Sequence, residues 1–248
     1  MTLSRTNPSS ATDHLQVIAI DGPAAAGKST VANLLADRLG ALLFDTGALY
    51  RAVALQSLRL GVDAGNAEGL CDIAAHVSIE IRPPSVADSR LYDVLLNGED
   101  VTWKVRDPNI GAIVSQVAEH HDVRAALLPL QRRIAASGPV VMVGRDIGTV
   151  VVPDATVKVY LDATPEERAR RRFKEISARG GQESFPQVIQ ETRFRDEIDK
   201  SRISAPLRVS CDAIRIETDD LTIEEVVARI ESIARGKVAS DGIPPWPR

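Results

Sequence analysis

The run Gly22-Pro23-Ala24-Ala25-Ala26-Gly27-Lys28-Ser29 obeys the phosphate-loop pattern G-x-x-x-x-G-K-[ST] and constrains this chain more than any other stretch of it. The pattern works only between a strand and a helix, and both flanks are present. Upstream, Val17-Ile18-Ala19-Ile20 is a short β-branched apolar run; downstream, Val31, Leu34, Leu35 and Leu39 recur at helical spacing until Gly40 offers a stop. Backbone N–H groups of such a loop converge on phosphate oxygens at the positive end of the helix dipole. Lys28 adds a mobile point charge, and the Ser29 hydroxyl can serve as a Mg²⁺ ligand. These residues imply a nucleoside triphosphate with its metal.

A second strand, loop and helix follow. Ala41-Leu42-Leu43-Phe44 reads as a buried strand, and Asp45-Thr46-Gly47 opens a helix running through Leu49, Val53 and Leu58 to Gly61. Strands separated by helices predict an α/β fold with a central parallel sheet and helices on both faces, and ligands collect beyond the carboxyl ends of the strands. That places Asp45, Thr46, Tyr50 and Arg51 near the phosphates. Between Val77 and Thr102 the period changes to two, and Asn97-Gly98 signals a tight hairpin. A small antiparallel insert, read as a separate lobe, therefore interrupts the alternation. Ile110, Ile113, Val114 and Val117 then form a helical stripe, and Leu127, Leu128 and Ile134 mark a further helix ending near Gly138-Pro139.

Val140-Val141-Met142-Val143 has the continuous apolar character of a strand buried on both faces and delivers Gly144-Arg145-Asp146 to its carboxyl end. The next strand, Val157 to Leu161, leads to Thr164-Pro165-Glu166-Glu167, a helix start combining a cap with proline at the first position. That helix is basic: Arg168, Arg170, Arg171, Arg172 and Lys174 precede Gly180-Gly181. Its cations outnumber the adjacent acids Glu166, Glu167 and Glu175, so a polyanionic ligand is the expected countercharge. Within the second charged stretch, Glu191 to Arg202, spacing puts Arg195, Asp199 and Arg202 on one helical face; a surface Arg195–Asp199 ion pair and a functional group are equally compatible with it. A strand from Ala213 to Glu217 and a helix opened by a Thr222-x-x-Glu225 capping box close the chain.

With 44% apolar and 26% charged residues the chain is ordinary globular material, and its formal net charge of −4 gives no whole-molecule basic field for nucleic acid. No stretch approaches the roughly 20 apolar residues of a membrane span. Cys71 and Cys211 have no metal-ligand spacing; both are expected to be packing residues in a reducing, cytoplasmic compartment. The terminal stretches 1–13 and 236–248, rich in small and turn-forming residues, are expected to be flexible tails.

The set Ile20 to Thr30, Asp45-Thr46-Gly47-Ala48-Leu49-Tyr50-Arg51, Ser115-Gln116-Val117-Ala118, Gly144 to Val151 and Ala205-Pro206-Leu207 resembles bacterial cytidylate kinases, a branch of the P-loop nucleoside monophosphate kinases. The resemblance runs from about His14 to Arg235. It implies a single domain over 14–235, with a core near 14–60, 105–165 and 205–235, an acceptor-binding insert near 61–104 and a helical lid near 166–185. It implies transfer of the ATP γ-phosphoryl group to CMP or dCMP by a monomer, with Mg²⁺ accompanying ATP and with neither nucleic acid nor membrane as partner. By the same resemblance, Gly22, Pro23, Ala24, Ala25, Ala26, Gly27, Lys28, Ser29 and Thr30 hold ATP, joined by Arg168 and Arg172 of the lid. Ser115, Arg124 and Asp146 address the cytosine, Arg51, Arg145 and Arg202 reach the acceptor phosphate, and Arg195 and Asp199 lie at the ribose and the transferring phosphate. Thr46 and Tyr50 line that pocket. Lys28, Arg145 and Arg195 are the expected catalytic cations.

Two other readings share the loop. A P-loop GTPase or ATPase switch would lack an acceptor pocket, and the chain has no Asn-Lys-x-Asp or Thr-Lys-x-Asp guanine signature. A kinase for another small acceptor would keep the loop and lid arginines, so Ser115, Arg124 and Asp146 are the discriminating positions.

Overall fold

The computed structural model describes residues 16–178, 180–202, 204–241 and 245–246. Along the chain run β1 (Val17–Asp21), α1 (Lys28–Leu39), β2 (Leu42–Asp45), α2 (Gly47–Leu60), α3 (Ala67–His76), β3 (Ile79–Arg82), β4 (Asp93–Leu96), β5 (Glu99–Asp100), α4 (Pro108–Glu119) and α5 (His121–Ala135). After these come β6 (Val140–Gly144), β7 (Val157–Asp162), α6 (Pro165–Ala178), α7 (Phe185–Ser201), β8 (Ile214–Glu217) and α8 (Ile223–Asp241). A short 3₁₀ turn covers Lys104–Arg106, and one turn of π-helix covers Ile147–Val151.

The main sheet has the order β2-β6-β1-β7-β8, and every pair in it is parallel. Its central strand is β1, the one that feeds the phosphate loop. All five residues of β1 and all five of β6 are buried, which explains their unbroken apolar runs. Register fixes the mouth of the site: Asp21 stands opposite Gly144 on one side and Tyr160 on the other, and Asp45 opposite Val143. Helices α1 and α8 pack on one another and reach β6 and β7 respectively, while α2, α3, α4 and α5 form a second packed group.

The insert contains the expected antiparallel sheet, β3-β4-β5, with the hairpin turned by Asn97 and Gly98, both at positive φ (51° and 83°). It also contains α3, whose amphipathic stripe Leu70, Ile73 and Ala74 is buried and which packs on α2 and α5. That part of the insert is integrated with the main body.

The expectation of a tail from residue 236 onwards and the packing role of Cys211 are revised. Helix α8 continues past Gly236 to Asp241, with Val238 buried, and Trp246 is buried too; the apolar spacing Ile230, Ala234, Val238 carries the helix through the glycine. The expected N-terminal tail, 1–13, lies outside the described residues. Cys211, expected in packing, is exposed, and Cys71 is half-buried on α3.

Candidate active site

The phosphate loop crosses from β1 to α1 through two left-handed residues, Ala25 (φ 60°) and Gly27 (φ 86°). Gly22 is required by contact as well as conformation. At φ 148° a Cβ there would sit 2.1 Å from the Leu161 carbonyl oxygen. At the far end Lys28 folds back inside the loop, its Nζ donating to the Pro23 carbonyl at 2.6 Å. Its pKa is pushed well down, first by burial and then by repulsion from Arg145. Asp45 and Asp21 offset this only in part, so an arriving anion stabilises the ammonium further. Ser29 and Thr30 are exposed at the helix start, and the Ser29 hydroxyl donates to Asp45 Oδ2 at 3.1 Å. Asp45 Oδ1 accepts from the Gly47 amide at 3.0 Å, tying the end of β2 to α2. One hydroxyl beside one carboxylate fits a Mg²⁺ ion whose remaining ligands are phosphate oxygens and water.

Asp21 closes β1 from below the loop. Its Oδ1 and Oδ2 each accept at 2.8 Å, from the amides of Ile147 and Gly148, the first residues of the π-turn. Arg132 of α5 grips the other end, donating to the carbonyls of Val151 (3.0 Å) and Val150 (3.1 Å). A carboxylate at the amino end and a guanidinium at the carboxyl end complement the dipole of that turn. Arg145 and Asp146, which precede it, are thereby held at the mouth of the sheet.

Burial raises Asp21 to about 6, despite the two amide bonds that pull the other way. Because its folded value lies above the unfolded one, the native state binds more protons between about pH 4 and 6. Stability from this group is therefore lost as pH rises through that window, by about 3 kcal/mol at most. Urea unfolding at several pH values should show this fall in the native protein and its loss in Asp21→Asn. An identical pH slope in both proteins would contradict it.

The residues expected to bind the acceptor stand on α2, α4, α5 and α7 and just after β6. Arg124 of α5 makes a buried ion pair with Asp146, lies 5.4 Å over the Tyr50 ring, and donates to the Ala118 carbonyl at 3.3 Å. Tyr50 also has a hydrogen bond with the buried Gln131, and burial raises its pKa. The Thr46 hydroxyl donates to the Val143 carbonyl at 2.9 Å, so it helps lock β2 to β6. Ser115 is half-buried on α4. Arg145 Nε donates to Asp199 Oδ2 at 2.7 Å, and Arg202 pairs with Oδ1 of the same carboxylate. Burial, and then repulsion from Arg124 and Arg145, lowers Arg202 to about 10.

Arg195 does not pair with Asp199. Its Nη2 donates to the Gly111 carbonyl at 3.3 Å, and its pKa is lowered by burial and by the nearby Arg172, Arg145 and Arg51. Arg51 of α2, Arg145 at the end of β6 and Arg172 of α6 thus lie close enough to Arg195 of α7 to lower its basicity by repulsion. A cluster of that kind suits phosphate.

Helix α6, expected to serve as a lid, departs from expectation in its contacts. Most of its cations have protein partners: Arg170 and Arg171 share Glu167, and Arg172 pairs with Glu175 at 3.3 Å. Arg168, expected at ATP, is only 2% exposed, and its guanidinium is committed to Asp196 and to the carbonyls of Ala163 and Ala24. Helical spacing gave no sign that a carboxylate on α7 would reach it. Residues that spacing did not single out for the site also stand here. These are Asp21 and Asp196; Arg171, read from the chain only as one cation of the basic helix, donates to the Thr218 side chain (3.0 Å) and carbonyl (2.7 Å) and has Nη1 3.9 Å from the Cβ position at Gly27.

Among known proteins, the cytidylate kinase family matches residues 18–235. Curated cytidylate kinases are close relatives. That of Herpetosiphon aurantiacus is 49% identical over 86% of this chain and 91% of its own length, and that of Pelotomaculum thermopropionicum 49% over 86% and 93%. A third, from Geobacillus thermodenitrificans, is 47% identical over 89% and 97%. Loop, sheet topology and relatives agree, and the chain belongs to the cytidylate kinase family.

Proposed function

We propose that this kinase moves the γ-phosphoryl group of ATP to the phosphate of CMP or dCMP across the gap between the phosphate loop and the arginine cluster. The observation that carries the residue assignment is the gathering of Arg51, Arg145 and Arg172 around Arg195, with Arg145 also close enough to Lys28 to repel it. Phosphoryl transfer asks a protein for alignment and for cations around a spreading negative charge, and a covalent nucleophile is not needed.

Gly22 to Thr30 hold the triphosphate, with Lys28 following the charge that develops during transfer. Ser29, supported by Asp45, would hold the Mg²⁺ that accompanies ATP, and the ion would supply positive charge to the phosphates. Arg51, Arg145 and Arg202 bind the acceptor phosphate, and Arg195 bridges towards the transferring group. Asp199 keeps Arg145 and Arg202 in place and faces the ribose. Ser115, Arg124 and Asp146 read the base: cytosine offers an amino group to a carboxylate, whereas uracil presents a carbonyl at the same position and would be repelled. Helix α6 and the turn after it, near 166–185, form the lid that excludes water from the transfer. The enzyme acts as a monomer in the cytoplasm, and the free thiols of Cys71 and Cys211 suit a reducing compartment.

The test is ADP release with ATP, Mg²⁺ and each of CMP, dCMP, UMP, AMP and GMP. CMP and dCMP should exceed the other acceptors by about 100-fold in kcat/KM, the upper end of what leaving one buried polar group unpaired costs. Equal, slow ADP release with every acceptor would defeat the reading.

A further inference from the structure

Arg168 lies on the lid helix, yet it reaches three other segments. Its Nε donates to the Ala163 carbonyl at 3.0 Å, at the end of β7. Nη1 donates to the Ala24 carbonyl in the phosphate loop at 3.2 Å and to Asp196 Oδ1 at 2.8 Å, and Nη2 donates to Asp196 Oδ2 at 2.5 Å. The fork is bidentate and buried, with Asp196 only 7% exposed. Two features give it leverage.

On the loop side, the Ala24 carbonyl belongs to the peptide leading into Ala25, which sits at φ 60° without the freedom of glycine. In a trans peptide the carbonyl and the following N–H point in opposite directions. Holding the Ala24 oxygen towards Arg168 therefore turns the Ala25 N–H away from it and fixes one donor of the loop. On the acceptor side, Asp196 is next to Arg195 and one helical turn before Asp199, the carboxylate that holds Arg145 and Arg202. Any shift of α7 as these arginines take up a phosphate is passed by Asp196 to Arg168 and so to the loop.

We propose that Arg168 and Asp196 are positioning residues that tie the ATP loop to the acceptor-reading helix, so that a filled acceptor pocket raises the loop's affinity for ATP. This rests on the kinase reading above. The pair contacts neither substrate and acts through the Ala24 peptide and through α7.

Calorimetric titration of the full-length protein with a Mg²⁺-bound, non-hydrolysable ATP analogue, with and without saturating CMP, tests it. In the native protein CMP should tighten the analogue about fivefold or more, the usual lower range for coupled sites. Asp196→Asn and Arg168→Lys should reduce that factor below about twofold while CMP alone binds within about twofold of normal. Each single change leaves a buried charge with a weakened partner and can unfold the protein. The double variant Arg168→Met/Asp196→Leu removes both charges, should melt near the native temperature, and should also lose the coupling.

Coupling retained in the folded double variant would overturn the proposal. So would native protein that binds CMP and analogue without coupling, or Arg168→Lys weakening the analogue equally with and without CMP while Asp196→Asn leaves it unchanged. The last result would make Arg168 a direct ATP contact. Native protein that fails to bind CMP at all would instead defeat the kinase reading, and the proposal with it.

Discussion

Lys28→Ala is expected to lower kcat by roughly two to three orders of magnitude at saturating ATP and CMP, with KM for CMP within about threefold of native. The reason is in the loop's own electrostatics. Lys28 is buried, donates at 2.6 Å to Pro23, and is held at lowered basicity by burial and by Arg145. The triphosphate adds to the partial countercharge of Asp45 and Asp21, and transfer shifts still more negative charge towards the same place. An interaction that strengthens along the reaction appears in turnover, not in acceptor binding. Steady-state rates with both substrates varied are the check, and an unchanged kcat would remove Lys28 from the chemistry.

The second large effect should come from the base-reading array. Arg124 and Asp146 form a buried pair braced by Tyr50. Removing one partner strands the other's charge, so Arg124→Ala should cost about 3–5 kcal/mol of stability. For a chain of this size that is about 10 °C in Tm. Asp146→Asn keeps the shape and offers a carbonyl in place of a carboxylate. It should narrow the CMP-to-UMP ratio of kcat/KM by about tenfold or more, because an amide can meet either base edge. Thermal melts and paired acceptor assays measure the two effects separately. A Tm within about 2 °C of native for Arg124→Ala would mean that the pair is not effectively buried in solution.

Much of this site could be read from the chain, for identifiable reasons. The loop from Gly22 to Ser29, the Asp45-Thr46 turn and the Gly144-Arg145-Asp146 turn each follow a buried apolar run, and parallel topology puts such strand ends side by side. Partners were harder to see. A spacing of four places Arg195 and Asp199 on one face, but it cannot tell that Arg145, on another strand, takes the carboxylate at 2.7 Å. Arg168 looked like its neighbours in a basic helix, because burial against Asp196 depends on how α6 meets α7. Asp21 carried no signal of its own beyond ending a strand. Its two bonds go to backbone amides of a π-turn, and amides have no letter in a sequence. Helix α3 and the start of α7 at the Ser184–Gln187 capping box are local patterns that spacing can report.

The place of β1 in the sheet also sets the order in which the molecule comes apart. Opening spreads inward from strands paired on one side, and β2 and β8 are those edges. Loss of β2 takes Asp45 and Thr46 with it, and so dismantles the acceptor side and the support of Ser29. β1, bonded to both β6 and β7, is still in register at that stage. A partly opened molecule therefore keeps the backbone cradle for phosphate after it has lost the means to use it. Fraying silences transfer before it abolishes nucleotide binding.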